Sequence, residues 1–269
     1  MSTMEQNDAQ MTDTLKPPFK VQVDKKQVPL SPIVSGGWQW VVKKSLVRKY
    51  AWKRAADIVI SIMAMLMLLP FCLVVAVAIR LTSHGPVIYC QERVGLNRRF
   101  TNRRRNGSKI EIGDRRNGDR RNQSHFGKPF VMYKFRTMIE DAERDYPVWA
   151  EDNDPRITPV GRILRKFRID EIPQFVNVLL GDMSIVGPRP ERSFFISECK
   201  DNLPGLLLRL CVKPGISGLA QVELGYTSTV EQLQDKIKWD LQYIECVTPW
   251  TDLKILAKTL LVVLAAKGT

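Results

Sequence analysis

The apolar and polar positions divide the chain before any residue is considered for chemistry. Residues 58–79, IVISIMAMLMLLPFCLVVAVAI, run for 22 positions without a charge, and Ser61 is the only polar side chain among them. As a helix this stretch reaches roughly 33 Å, enough for a bilayer core. Apolar residues cover every face, which a core helix of a small domain does not need, so membrane insertion is expected. The flanks argue against a simple crossing. Lys43, Lys44, Arg48, Lys49, Lys53 and Arg54 precede the stretch and Arg80 follows it, so both ends carry charge that favours the cytoplasmic side. Pro70 removes a backbone donor near the middle. The pattern predicts a re-entrant helix that dips into one leaflet and returns, broken at Pro70.

The remaining periodicities are shorter. PVIYCQERV (86–94) and PFVMYKFRT (129–137) are rich in β-branched and aromatic residues and read as strands. Removing roughly 98–126 would join them as one hairpin, so that segment reads as an insertion at a loop tip. DPRITPVGRILRKFRI ends in a basic helix, and 171–180 reads as an apolar helix stopped by Gly181. VKPGISGLAQV (212–222) has the turn and alternation of a small strand-turn unit. A helix is expected from about Val230 to Val247, with Trp239, Tyr243 and Cys246 on one face. From Asp252, DLKILAKTLLVVLAAKG is too short to span; Lys254 and Lys258 beside Leu253, Leu256, Leu260 and Leu264 suit an interfacial helix, with a plain core helix as the alternative.

Charge changes this picture in one place. The 269 residues carry a formal charge of +13, which calls for an anionic partner. Ten of the basic residues, against three acids, lie between Arg98 and His125, around a tandem GDRRN-GDRRN repeat at 113–122. Such sequence reads as disordered when free. It is either an arginine cluster for phosphate-bearing lipids or a regulatory nucleotide, or a solvated expansion with no ligand of its own. The five scattered cysteines suggest neither a zinc site nor a disulfide framework. The first twenty residues lack the apolar core of a secretory signal. The expected organisation is a disordered tail (1–37), a basic juxtamembrane segment (38–57), the re-entrant helix (58–80) and a catalytic domain (81–269) interrupted by 98–126. The expected fold class is α+β, a small mostly helical cytoplasmic domain with short strands.

Candidate chemistry concentrates in RKFRIDEIPQFVNVLLGDMSIVGPRPE, residues 165–191. Asp170 could be an ordinary helix cap. At a helix start near Arg165 and Arg168, it is expected to stay ionised. An ionised carboxylate can ligate Mg²⁺ or attack phosphorus to give an acyl phosphate. Arginines match phosphate oxygens in geometry and charge, and Pro188 and Pro190 hold Arg189 on a rigid turn. The chain has no P-loop glycine pattern, and its histidines, His84 and His125, sit in a turn and in the insertion. Phosphoryl transfer at a membrane is the reaction class these parts support.

QERVG…YKFRTM, GRILRKFRIDEIPQFVNVLLGDMSIVGPRPE, VKPGISGLAQV and KWDLQYIECVTPWTDLKI together resemble the bacterial sugar transferases, the monotopic polyprenyl-phosphate phosphoglycosyl transferases, over about 45–260. The resemblance implies transfer of a sugar 1-phosphate from a UDP-sugar to undecaprenyl or another polyprenyl phosphate, releasing UMP. It implies a catalytic domain on the cytoplasmic face of the bacterial inner membrane, serving exopolysaccharide or another surface glycan. By that likeness Asp170 is the nucleophile of a covalent phosphosugar intermediate, Mg²⁺ bridges the diphosphate, and Glu171 supports the metal or orients the nucleophile. Arg165 would clamp phosphate and Arg189 would lie beside the nucleotide. Lys134, Arg209 and Asp240 match further family positions, although Asp240 could simply pair with Lys236. The chain departs from the family in having Leu69 rather than serine before Pro70, Arg168 before the dyad, and the arginine-rich insertion. Two rival readings are a non-catalytic membrane scaffold or regulatory protein whose arginine loop binds lipid or nucleotide, and a nucleic-acid binder. The apolar stretch and the lack of a nucleic-acid motif argue against the latter.

Overall fold

The computed structural model describes residues 51–97, 126–140, 142, 154–203, 205–225 and 230–265. The tail, residues 38–50 of the juxtamembrane segment and the arginine-rich repeats lie outside the described residues. Helix α1, Ala51–Thr82, is helical throughout, with Pro70 inside it. It begins within the segment expected to lie ahead of the membrane helix, because Lys53 and Asp57 point into the domain rather than into water. Its buried positions, Lys53, Asp57 and Ser61 and then Val75 and Ile79, follow the helical period along one stripe. The rest is bare: Leu66 and Met67 are 71% and 81% exposed.

Strands β1 (Ile88–Val94) and β2 (Pro129–Phe135) pair antiparallel from Ile88↔Phe135 to Val94↔Pro129. Gly95 donates to the Lys128 carbonyl and Lys128 to that of Leu96, so the ladder runs to the base of the insertion. The expected hairpin is therefore present, and the insertion leaves from its tip. Helix α2 (Pro159–Lys166) is capped by Thr158, whose hydroxyl accepts from the Gly161 N–H, with Pro159 in its first turn. A 3₁₀ turn, Ile169–Glu171, follows, and α3 spans Gln174–Leu180. The single apolar helix expected over 171–180 is thus two pieces, because Pro173 has no N–H to continue the ladder and becomes the cap of α3. Gly181, at φ 87°, ends α3 as expected.

Two short parallel strands, β3 (Ser184–Val186) and β4 (Gly215–Ser217), flank the turn that carries Arg189. They meet so closely that a Cβ on Gly215 would lie 2.1 Å from the Gly187 nitrogen, so only glycine fits there. Helices α4 (Ser193–Cys199), α5 (Leu219–Leu224), α6 (Val230–Glu245) and α7 (Pro249–Leu264) complete the domain. The face expected on α6 is corrected. Leu233, Ile237, Leu241 and Ile244 form the buried stripe with Tyr243, whereas Cys246 is exposed and Trp239 half-buried. On α7, Ile255 is buried while Trp250, Leu253, Leu260, Leu261 and Leu264 are exposed, the apolar surface expected of an interfacial helix.

The main core joins α3, β3, α4 and α6 around Val178, Met183, Val186, Ile196 and Ile244. A second cluster sets Val75 and Ile79 of α1 against Phe135 and Leu164, with Ile169 and Ile172 packed beside them. Burying each such aliphatic side chain contributes about 1.5–3 kcal/mol. The second half of α1 therefore packs against the residues that bracket the Asp-Glu dyad.

Candidate active site

Asp170 and Glu171 occupy the 3₁₀ turn, preceded by Arg168 in the left-handed region at φ 53°. Arg168 is the one non-glycine residue with positive φ among the described residues. Such a conformation costs roughly 1–2 kcal/mol, and here it reverses the chain between α2 and the dyad. In a 3₁₀ turn successive side chains diverge by about 120°. The neighbouring carboxylates consequently meet different surroundings.

Glu171 faces the cations. Arg189 Nη2 lies 2.7 Å from Oε1, Lys134 Nζ 3.5 Å from the same oxygen, and Arg168 Nη1 3.9 Å from Oε2. Among the described residues Asp170 has a single cation within range, Lys134 at 3.9 Å. Both carboxylates are buried. Burial opposes ionisation of Glu171, but Arg189, Lys134 and Arg168 outweigh it and hold its carboxyl well below the usual range. For Asp170 burial wins: desolvation, aided by repulsion from Glu171, pushes its carboxyl up against the pull of Lys134, Arg189 and Arg165. The expectation that a helix start and nearby arginines would keep Asp170 ionised fails in direction. The residue lies in a separate 3₁₀ turn rather than at a helix start, and Arg168 turns to Glu171. Desolvation likewise lowers Lys134, which Glu171 and Asp170 only partly offset. The result is one firmly ionised acid beside one strained toward protonation.

Each partner is delivered by a different element. Lys134 shares a face of the hairpin with Phe130 and Met132, alternate residues of β2, and that strand packs on α3. The side-chain amide of Asn177 in α3 fixes the contact, donating to the Val131 carbonyl and accepting from the Tyr133 N–H. Arg189 stands between Pro188 and Pro190; its carbonyl accepts from Arg209 and that of Pro190 from Arg93.

The remaining expected site residues are placed differently. Arg165 sits at the end of α2, half-buried, near enough to act on the Asp170 charge but in no ion pair among the described residues. Arg209 and Asp240 form their own buried pair at 2.7 Å, behind the Arg189 turn. Glu191 joins them, 3.5 Å from Arg209 and 2.6 Å from Lys236. The alternative pairing of Asp240 with Lys236 is therefore not the one found: Lys236 is committed to Glu191. Burial opposes the charge on Glu191, and Lys236 and Arg209 overcome it.

Sequence reasoning missed Glu191 and Arg93 and gave Lys236 a different partner. The strand register offered one signal, since Arg93↔Phe130 and Tyr89↔Lys134 put Arg93 and Lys134 on one face of the hairpin. No short-range pattern marks the Glu191–Lys236 contact, which joins positions 45 residues apart.

Among the described residues no group of three or more His, Cys, Asp or Glu side chains converges. Mg²⁺ commonly takes one or two carboxylates and completes its shell with phosphate oxygens and water. Asp170, with only one distant cation, fits that role. Glu171 would have to exchange Arg189 for the metal, so it fits less well.

The profile of the bacterial sugar transferase family matches residues 48–105 and 114–266. The chain is 38% identical over 216 residues to a UDP-N-acetylgalactosamine-undecaprenyl-phosphate N-acetylgalactosaminephosphotransferase of Aeromonas hydrophila, covering 80% of this chain and 44% of that one. It is 38% identical over 210 residues to a UDP-glucose:undecaprenyl-phosphate glucose-1-phosphate transferase of Klebsiella pneumoniae, covering 77% and 39%. A protein of the same description from Caulobacter vibrioides is 36% identical over 209 residues, covering 77% and 67%. The chain thus spans about two fifths of the length of the first two relatives.

Proposed function

The chain belongs to the bacterial sugar transferases, and on that premise we propose that it is a phosphoglycosyl transferase moving a hexose 1-phosphate from a UDP-sugar to undecaprenyl phosphate. The observation that carries this reading is the dyad's division: Glu171 is paired with Arg189 at 2.7 Å, while the buried Asp170 retains free oxygens. A nucleophile needs an uncommitted carboxylate, and burial makes its charge more reactive by removing solvation.

In the first step an Asp170 oxygen attacks the phosphorus that bears the sugar. The bond from that phosphorus to the bridging oxygen breaks, and UMP leaves with the electron pair. The phosphosugar is then held on Asp170 as an acyl phosphate. In the second step a phosphate oxygen of the polyprenyl acceptor attacks the same phosphorus and releases the Asp170 carboxylate, giving polyprenyl diphosphate sugar. Lys134 and Arg189 neutralise the phosphoryl oxygens where charge develops. Glu171 holds both cations toward the reacting centre, and Arg165 is free to take a phosphate oxygen of donor or acceptor. A bound Mg²⁺, held by Asp170 and substrate oxygens, would supply further charge neutralisation on the diphosphate.

Attachment from one side, on the cytoplasmic face of the inner membrane, suits this chemistry. Both limbs of α1 pack on the same domain: Lys53, Asp57 and Ser61 before Pro70, Val75 and Ile79 after it. Between them Met63, Leu66, Met67 and Leu69 are exposed and apolar, the surface that a dip into one leaflet would bury; the bend this needs is assigned to Pro70, which lacks the N–H to continue the helix ladder. The dyad then lies where a membrane-held acceptor can present its phosphate. Donors with glucose or N-acetylgalactosamine are the first to test, and synthesis of an exopolysaccharide or another surface glycan is the proposed setting.

The test uses the full chain in nanodiscs with Mg²⁺, undecaprenyl phosphate and a panel of UDP-sugars, following UMP release. Release by the wild type and its loss in Asp170→Asn is the expected result. A hydroxylamine-sensitive phosphosugar adduct should accumulate when the acceptor is withheld. Equal release by the variant would remove Asp170 as nucleophile, and no release with any donor would reject the transferase reading.

A further inference from the structure

The 32-residue helix α1 is uncharged from Ile58 to Ile79 but carries three charged residues in its first two turns, Lys53, Arg54 and Asp57, and each grips a different part of the domain. Arg54 donates from Nη1 to the Val178 carbonyl at 2.5 Å and from Nη2 to that of Leu179 at 2.8 Å. These are carbonyls of the last turn of α3, at its negative end, and that of Val178 also accepts from the Gly181 N–H that caps the helix. Asp57 Oδ1 accepts from Ser184 Oγ and from the Ile185 N–H, each at 3.0 Å. Lys53 donates to Tyr243 Oη at 3.0 Å and is ion-paired with Asp252. Tyr243 Oη in turn lies 3.2 Å from the Val186 carbonyl and 2.9 Å from Asp252.

These contacts converge on two segments. The dyad immediately precedes α3, whose far end Arg54 holds. Strand β3 runs directly into Gly187-Pro188-Arg189, and Asp57 and Tyr243 hold that strand. The 2.7 Å contact between Glu171 and Arg189 is made where the two segments meet. Both are short, seven and three residues; the core around Val178, Met183 and Val186 and the β3–β4 pairing hold them on one side, and Arg54 and Asp57 tie them to α1 on the other. A charged side chain at the edge of a membrane helix is costly unless it is paired, and here the three at the N-terminal end are all paired with the domain.

We propose that Arg54 and Asp57 are positioning residues of the transferase site, setting the Glu171–Arg189 contact by pinning α3 and β3 to the base of the membrane helix. The inference rests on the transferase reading for its kinetic consequence but not for its mechanical one. Seating of α1 in the membrane and assembly of the phosphate site become one event. A displacement near 1 Å at a site of this kind costs about a hundredfold in rate.

The test compares the full chain with Asp57→Ala, Asp57→Asn and Leu233→Ala in the same nanodiscs. Asp57→Ala should lower kcat for UMP release by about 10- to 100-fold with KM for the UDP-sugar within about threefold. Asp57→Asn keeps an oxygen to accept from Ser184 and Ile185 and should restore kcat to within about threefold of wild type. Leu233→Ala, a core truncation on α6, should lower Tm without that loss of kcat. Wild-type kcat in Asp57→Ala, or the same loss in Leu233→Ala, would overturn the proposal, as would an Asp57→Asn variant no better than alanine. Hydrogen exchange reads the coupling without turnover. Amides of residues 184–189 should exchange faster in Asp57→Ala, with those of α6 unchanged, and unaltered exchange there would overturn the proposal even if no donor supported UMP release. Wild-type inactivity with altered exchange would reject only the transferase reading.

Discussion

Replacing Arg209 with methionine separates its two possible roles, holding substrate phosphate or holding the fold. Arg209 is 4% exposed, 2.7 Å from Asp240 and 3.5 Å from Glu191, and donates to the Arg189 carbonyl at 3.1 Å. At an effective dielectric constant of about 20, those charge separations correspond to gross attractions of about 6 and 5 kcal/mol. Most of that offsets the desolvation of the three groups. Removing the cation leaves Asp240 and Glu191 buried with only Lys236 between them, and breaking such a set costs about 3–5 kcal/mol. In a domain of this size each kcal/mol lowers Tm by about 2–4 °C, so Arg209→Met should melt about 6–20 °C below wild type. Asp240→Leu combined with Arg209→Met should recover part of the loss, because the second uncompensated charge is then absent. The assay is thermal unfolding in one detergent at one pH for wild type, both single variants and the double variant. UMP release is measured below the lowest Tm. Arg209 does not reach the dyad, so KM for the UDP-sugar should stay within about threefold. A Tm within 2 °C of wild type together with a tenfold rise in KM would refute the reasoning and make Arg209 a ligand contact.

Three further outcomes are expected. Burial raises the Asp170 carboxyl, so its ionised form costs stability above its folded pKa. Asp170→Asn should therefore raise Tm at pH 7.5, and by more than at pH 3, below the carboxyl's ordinary value near 3.8, while abolishing UMP release; a lower Tm at pH 7.5 counts against the assigned direction. Glu171 shifts the other way, its cations overcoming burial, so its contribution is fully present above the ordinary value near 4.5 and fades as pH falls toward its lower folded value. Glu171→Gln should then lose stability at pH 6 to 7 and flatten the acid decline of Tm below about pH 4.5, and an unchanged acid profile would contradict this. Single cysteines at Lys49 and His84, in a background lacking the native cysteines, should both react with a membrane-impermeant maleimide from the cytoplasmic side only. Labelling of the two sites from opposite sides would establish a crossing helix.

What the sequence determined on its own is local in origin. A 22-residue uncharged run gives one long helix with an exposed apolar surface, and the cost of leaving so much apolar surface in water does not depend on any partner. Alternating β-branched strands around a tip insertion gave the hairpin, and Gly181 stopped α3 because only a residue tolerant of positive φ closes that helix end. The Asp-Glu dyad and the Pro-Arg-Pro turn were legible as chemistry because rigid turns, acids and arginines lie within one short span. The tertiary structure decided the surroundings of each acid. Asp170 and Glu171 are adjacent and chemically almost the same, and they differ only because Arg189 approaches one of them from 18 residues away and the hairpin carries Lys134 between them. It also placed Arg209 and Asp240 behind the site, and it committed Lys236 to Glu191. Electrostatic partnership depends on distance in space and on the water excluded along the way. Neither is encoded in the spacing of residues along the chain, so the division of labour between two neighbouring carboxylates appears only once the chain has folded around them.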